Sequence, residues 1–156
     1  MPLPALRTLV LAVCAVVALA TCAPVGATDA ESAGEKWIDV NLSEQWLTAY
    51  EGQWIIWSGP ISSGRGEYAT PTGTFYVQRK AWAEDMSGEW GTSEYYYQPE
   101  VPWVLYFTAR GHAIHGVYWH SRFGTPTSHG CVGAPLNGAS ILYSWAPVGT
   151  PIVIHY

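Results

Sequence analysis

From Lys36 the chain alternates apolar and polar positions: Trp37-Ile38-Asp39-Val40-Asn41-Leu42, then Trp46-Leu47-Thr48-Ala49-Tyr50, then Gln53-Trp54-Ile55-Ile56-Trp57 after the turn residues Glu51-Gly52. Alternation of period two is the signature of strands with one face buried, so these segments predict a meander of three strands. Gly59-Pro60 and Ser62-Ser63-Gly64-Arg65-Gly66 are rich in turn residues and predict a loop, after which Thr74-Phe75-Tyr76-Val77-Gln78 resumes a strand. Residues 80–102 carry Gly88, Gly91, Pro99 and Pro102 among acidic and aromatic side chains and fit neither period. They read as a long excursion, either a lid over a cleft or a decorated surface loop.

Trp103-Val104-Leu105-Tyr106-Phe107-Thr108 is strongly apolar, Ala109-Arg110-Gly111 has turn character, and His112-Ala113-Ile114-His115-Gly116-Val117-Tyr118 returns, which predicts a hairpin. Side chains alternate along a strand, so His115 shares a face with Ala113 and opposes His112 and Ile114; the two histidines are not expected to act together. Asn137 is a candidate N-cap for a helix through Trp145 in which Ile141, Leu142 and Trp145 share a face, ended by Pro147 and Gly149. Residues 148–156 close the chain as a strand. The predicted class is mainly β: a sandwich with one short helix beside the loop that carries Cys131, and the long excursion at about 80–102.

Residues 1–27 differ from the rest. Arg7 is their one charged residue and Leu9 to Ala20 form an apolar run of about a dozen residues, the proportions of a signal-peptide core rather than a bilayer span. Pro24-Val25-Gly26-Ala27 offers a cleavage site after Ala27; Leu19-Ala20-Thr21-Cys22 resembles a lipoprotein box, the less favoured alternative. The expected organisation is a signal peptide at 1–27, a short linker at 28–35 and one domain at 36–156, secreted or held in a bacterial cell envelope and monomeric, with membrane attachment only through lipid at Cys22. Cleavage removes Arg7, Cys14 and Cys22, leaving 6 basic and 12 acidic residues, a net charge of −6, which disfavours nucleic acid as a partner. Cys131 is then the single cysteine in an oxidising space where unpaired thiols are usually paired or lost, so its presence calls for a chemical role.

Ser128-His129-Gly130-Cys131 lies on a turn ahead of the predicted helix. A thiol works as a nucleophile through its thiolate, and an imidazole together with free backbone N–H groups lowers its pKa. His115 is the candidate partner. With no Asp or Glu in the motif, the group that orients the imidazole would be a backbone carbonyl, with that of Gly116 suggested, or a hydroxyl. A zinc site from His115, His129, Cys131 and His112 or His120 is disfavoured by spacing, since there is no Cys-x-x-Cys or His-x3-His pair. Among the aromatic residues, Trp37, Trp46, Trp54 and Trp57 are expected in the core, and Trp82, Trp90, Tyr95, Tyr96 and Tyr97 in the excursion are the better candidates for substrate contact.

Ser63-Gly64-Arg65, Thr70-Pro71-Thr72-Gly73-Thr74-Phe75, Ile114-His115-Gly116, Ser128-His129-Gly130-Cys131-Val132 and Gly149-Thr150-Pro151-Ile152-Val153-Ile154 occur in this order between Lys36 and Tyr156. On these residues the chain resembles the L,D-transpeptidase catalytic domain, the YkuD family. The resemblance implies that Cys131 attacks the carbonyl of an L-to-D peptide bond in a tetrapeptide stem of peptidoglycan, D-Ala leaves, and the acyl group passes to an amine, giving a 3→3 cross-link, or to water, giving a carboxypeptidase. A non-catalytic peptidoglycan-binding module is the remaining alternative. The resemblance further implies His115 as general base and Ser128, His129 and Gly130 as residues shaping the oxyanion site and pocket; Gly116 is grouped with them from its place beside His115, His120, Trp119 and Tyr118 ahead of the motif are candidate substrate contacts, and neither metal nor cofactor is expected. The family usually has Arg or Asn after the apolar residue that follows the cysteine; here that position is Gly133.

Overall fold

The computed structural model describes residues 34–156 except Trp90. The expectations about residues 1–27, most of the linker and Trp90 lie outside them.

The meander forms as predicted: β1 (Lys36–Asn41), β2 (Trp46–Glu51) and β3 (Trp54–Pro60) pair antiparallel in turn. The last strand, β9 (Pro151–His155), pairs parallel to β1, and β4 (Gly73–Tyr76) pairs antiparallel to β9. These five strands make one sheet in the order β3-β2-β1-β9-β4. The inward positions of the alternating pattern, Ile38, Val40, Leu47, Ala49, Ile152 and Ile154, are fully or almost fully buried. The outward tryptophans that open β2 and β3 are not core: Trp54 is exposed, and Trp46 is exposed with its indole N–H donated to Ser58 Oγ. Of the four tryptophans expected inside, Trp57 packs on the core at half-burial and Trp37 stacks on Tyr50.

The second sheet corrects the reading of residues 80–102. β5 (Arg79–Gly88) and β6 (Tyr96–Tyr106) form a long antiparallel hairpin, with a register irregularity between Glu84 and Met86. Trp82, Tyr95 and Tyr97 are exposed, and the sequence here lacks the alternation that marks a half-buried strand. Pro99 and Pro102 are accommodated within β6. β7 (Ala113–Val117) pairs with β6 as the predicted hairpin, and β8 (Val132–Pro135) runs parallel to β7, giving the order β5-β6-β7-β8. A mainly β fold with two sheets and one short helix results.

The helix α1 spans Leu136–Trp145 and starts directly from β8, with Pro135 in the N-cap position. Asn137 lies inside its first turn and does not cap it. Ala139 and Leu142 face the core, Trp145 packs on it at half-burial, and Ile141 is exposed. Gly138 lies against the Trp57 ring: a Cβ there would approach Cζ2 to 2.3 Å. Lys80 donates to the carbonyls of Tyr143 and Ala146 near the C-terminal end, where a cation complements the helix dipole.

Candidate active site

β7 is buried along its length and β8 joins it in parallel register, Ile114 opposite Val132 and His115 opposite Gly133. One step back from Val132, Cys131 falls beside Ala113. Neighbouring residues in register point to the same face and side chains alternate, so Ala113, His115, Cys131 and Gly133 share one face, with His115 and Cys131 as diagonal neighbours. That face opens into a cavity of about 300 Å3 lined by both residues.

The imidazole is oriented as the sequence suggested: His115 Nδ1 lies 3.0 Å from the Gly116 carbonyl. A carbonyl accepts only, so Nδ1 carries the hydrogen and Nε2 is left as a base. His115 is buried, and burial pulls its pKa down to about 4 against the opposing pull of the Gly116 bond. Trp119 stacks beside it with centroids 5.7 Å apart.

Cys131 is half-buried. Burial drives its thiol up to about 11, opposed by a hydrogen bond from Ala113. The sulfur lies 3.8 Å from the Gly111 carbonyl and is not hydrogen-bonded to His115. This overturns the expectation of a lowered thiol pKa: desolvation outweighs the nearby hydrogen bond, and the resting pair is thiol and neutral imidazole.

The motif loop is held by its own polar groups. Ser128 Oγ donates to the Cys131 carbonyl and accepts from Gly130 N–H at 3.1 Å; Thr70 Oγ1 donates to the Gly130 carbonyl at 3.0 Å and accepts from Gly64 N–H at 2.8 Å. Gly130 takes φ +116°, a conformation side chains resist, and a Cβ on it would lie 2.7 Å from His112 Cδ2. His112, not expected to act with His115, backs the cysteine turn, with Nδ1 2.9 Å from Thr108 Oγ1.

His129 stacks on Tyr96 of β6 (4.7 Å, 16°) and meets Tyr68 edge-on, while Arg65 bridges to Glu94 at the hairpin tip and lies 3.4 Å from His129 Nε2. The hairpin is thus pinned over the motif loop through side chains, a contact that sequence reasoning missed because Arg65, Glu94 and His129 are far apart in the chain. Met86, Tyr96 and Gln98 from the hairpin line the cavity along with Ser62, Trp119, His120, Ser128 and His129. Tyr118 and Gly116 are not among its lining residues: Tyr118 is exposed and bonded to the Pro99 carbonyl, and Gly116 packs on Pro102 and Leu136 while orienting His115. Gly133 lies on the cavity floor, where a Cβ would meet Val117 at 2.6 Å and Ser62 Oγ at 2.9 Å. No group of three or more His, Cys, Asp or Glu suited to a metal occurs among the described residues.

Comparison with known proteins agrees with this architecture. The model of the L,D-transpeptidase catalytic domain, YkuD, matches residues 35–154. YciB of Bacillus subtilis (strain 168) is 34% identical over 131 residues, covering 76% of this chain and 64% of its own length. An Enterococcus faecium L,D-transpeptidase C442S mutant superimposes with TM-score 0.71 at 27% identity, over 78% of this chain and 50% of its own. An L,D-transpeptidase from Mycobacterium smegmatis gives TM-score 0.73 at 23% identity, over 78% and 59%, and supports the fold. The chain spans about two thirds or less of the length of these relatives, and it belongs to the YkuD family of L,D-transpeptidase catalytic domains.

Proposed function

We propose that this protein is a peptidoglycan L,D-transpeptidase in which Cys131 is the nucleophile and His115 its base. The observation that carries the reading is the shared cavity face of Cys131 and His115, with Nδ1 of His115 committed to Gly116 and Nε2 left to take a proton. Because the resting pair is neutral, the thiol proton moves to Nε2 as Sγ attacks the carbonyl of the L-to-D bond in a tetrapeptide stem. The tetrahedral oxyanion is met by the backbone N–H of Cys131 in the motif turn, the Gly130 N–H being donated to Ser128 Oγ. The imidazolium returns its proton to the departing D-Ala amine, a thioester forms on Cys131, and an amine of a second stem then takes the acyl group. Water in that last step would make the protein a carboxypeptidase. Cleavage of a leader and export to the cell envelope belong to the same reading and rest on residues 1–27 of the sequence.

Incubating the protein with sacculi rich in tetrapeptide stems and analysing the muropeptides tests it. Cross-linked dimers are expected; tripeptides without dimers would reassign it as a hydrolase, and an unchanged profile would overturn the enzymatic reading.

A further inference from the structure

The chain is acidic, with 12 Asp and Glu against 7 Lys and Arg, yet none of the fourteen residues lining the cavity is a carboxylate. Arg122 is the one Lys or Arg among them. Its backbone N–H bonds His120 Nδ1 at 3.1 Å, and among the described residues its guanidinium has neither ion pair nor hydrogen bond. The contrast is Arg65, whose guanidinium is spent on Glu94. An unspent, exposed guanidinium at a cavity from which acidic side chains are absent suits an anion, and a carboxylate fits its planar fork of donors. Gly133 offers no side chain of its own to a charged group, and Arg122 is the one Lys or Arg that lines the cavity.

We propose that Arg122 binds a carboxylate of the donor stem and so determines which donors this enzyme accepts, an assignment that rests on the function proposed above. The stem offers two such groups, the C-terminal carboxylate of the leaving D-Ala and the side-chain carboxylate of the residue before it.

The test uses tetrapeptide donors as the free acid, as the C-terminal amide and as the side-chain amide, with wild-type, Arg122→Gln and Arg122→Lys proteins. Turnover is followed by D-Ala or D-alaninamide release, and binding to the Cys131→Ala background by calorimetry. Loss of a guanidinium–carboxylate contact of a few kcal/mol corresponds to tenfold or more in affinity. Arg122→Gln is expected to raise KM for the free acid at least tenfold with kcat less affected, Arg122→Lys to recover part of it, and one of the two amides to bind wild type as weakly as the free acid binds Arg122→Gln; which amide does so identifies the carboxylate. Equal KM and equal affinity for Arg122→Gln and wild type with the free acid would overturn the inference while leaving a working wild type intact. Weak donor binding that depends on Arg122 without any release of D-Ala would instead sink the function proposed above and keep the carboxylate site.

Discussion

At the scale of the residue, the site is governed by desolvation. His115 is held near 4 and the Cys131 thiol near 11, so at neutral pH neither is charged. Alkylation of Cys131 by iodoacetamide should therefore rise steeply with pH above 8 with no plateau near neutrality, and a plateau below pH 7 would show a preformed thiolate. His115→Ala should leave that alkylation profile nearly unchanged while lowering peptide acylation by about two to four orders of magnitude, the range of general-base catalysis. The sign for stability follows from the same shift. His115 has its folded pKa below the unfolded value of 6.5, so its neutral form stabilises fully above 6.5 and the contribution is lost as pH falls from 6.5 toward 4; a denaturant titration at pH 7 and pH 5 should show lower stability at pH 5 that shrinks in His115→Ala. Cys131, His115 and its Gly116 partner were legible in the sequence because a lone cysteine in a turn motif and a strand histidine are local signals. The raised thiol pKa was not, since it comes from burial by segments distant in the chain.

At the scale of the element, close packing constrains the glycines. Alanine normally favours a helix interior over glycine by about 1 kcal/mol, but at Gly138 the Trp57 ring occupies the space of a Cβ. Gly138→Ala should lower the unfolding midpoint, and an increase would show that Trp57 moves aside. The meander, the β6–β7 hairpin and the closing strand could be read from alternation. The β5–β6 hairpin could not, because its outward face lies in solvent and both of its faces mix apolar with polar residues. Asn137 has the side chain of an N-cap, but β8 runs into α1 at Pro135 without a side-chain cap, so the helix starts ahead of it.

At the scale of the whole molecule, the hairpin and the motif loop meet through Arg65, Glu94, His129 and Tyr96. Glu94→Gln removes the charge that holds Arg65 and should speed proteolysis within residues 86–97 while leaving the rest of the domain protected; an unchanged digestion pattern would show that ring stacking alone secures the hairpin. This contact joins residues dozens of positions apart, so the local sequence pattern carries an excursion and a motif but not their union.

The central claim is that Cys131 accepts an acyl group. Intact-mass measurement after incubation with a carbapenem tests it most directly: one adduct is expected on wild type and none on Cys131→Ser. No adduct on wild type, or an equal adduct on Cys131→Ser, would contradict it.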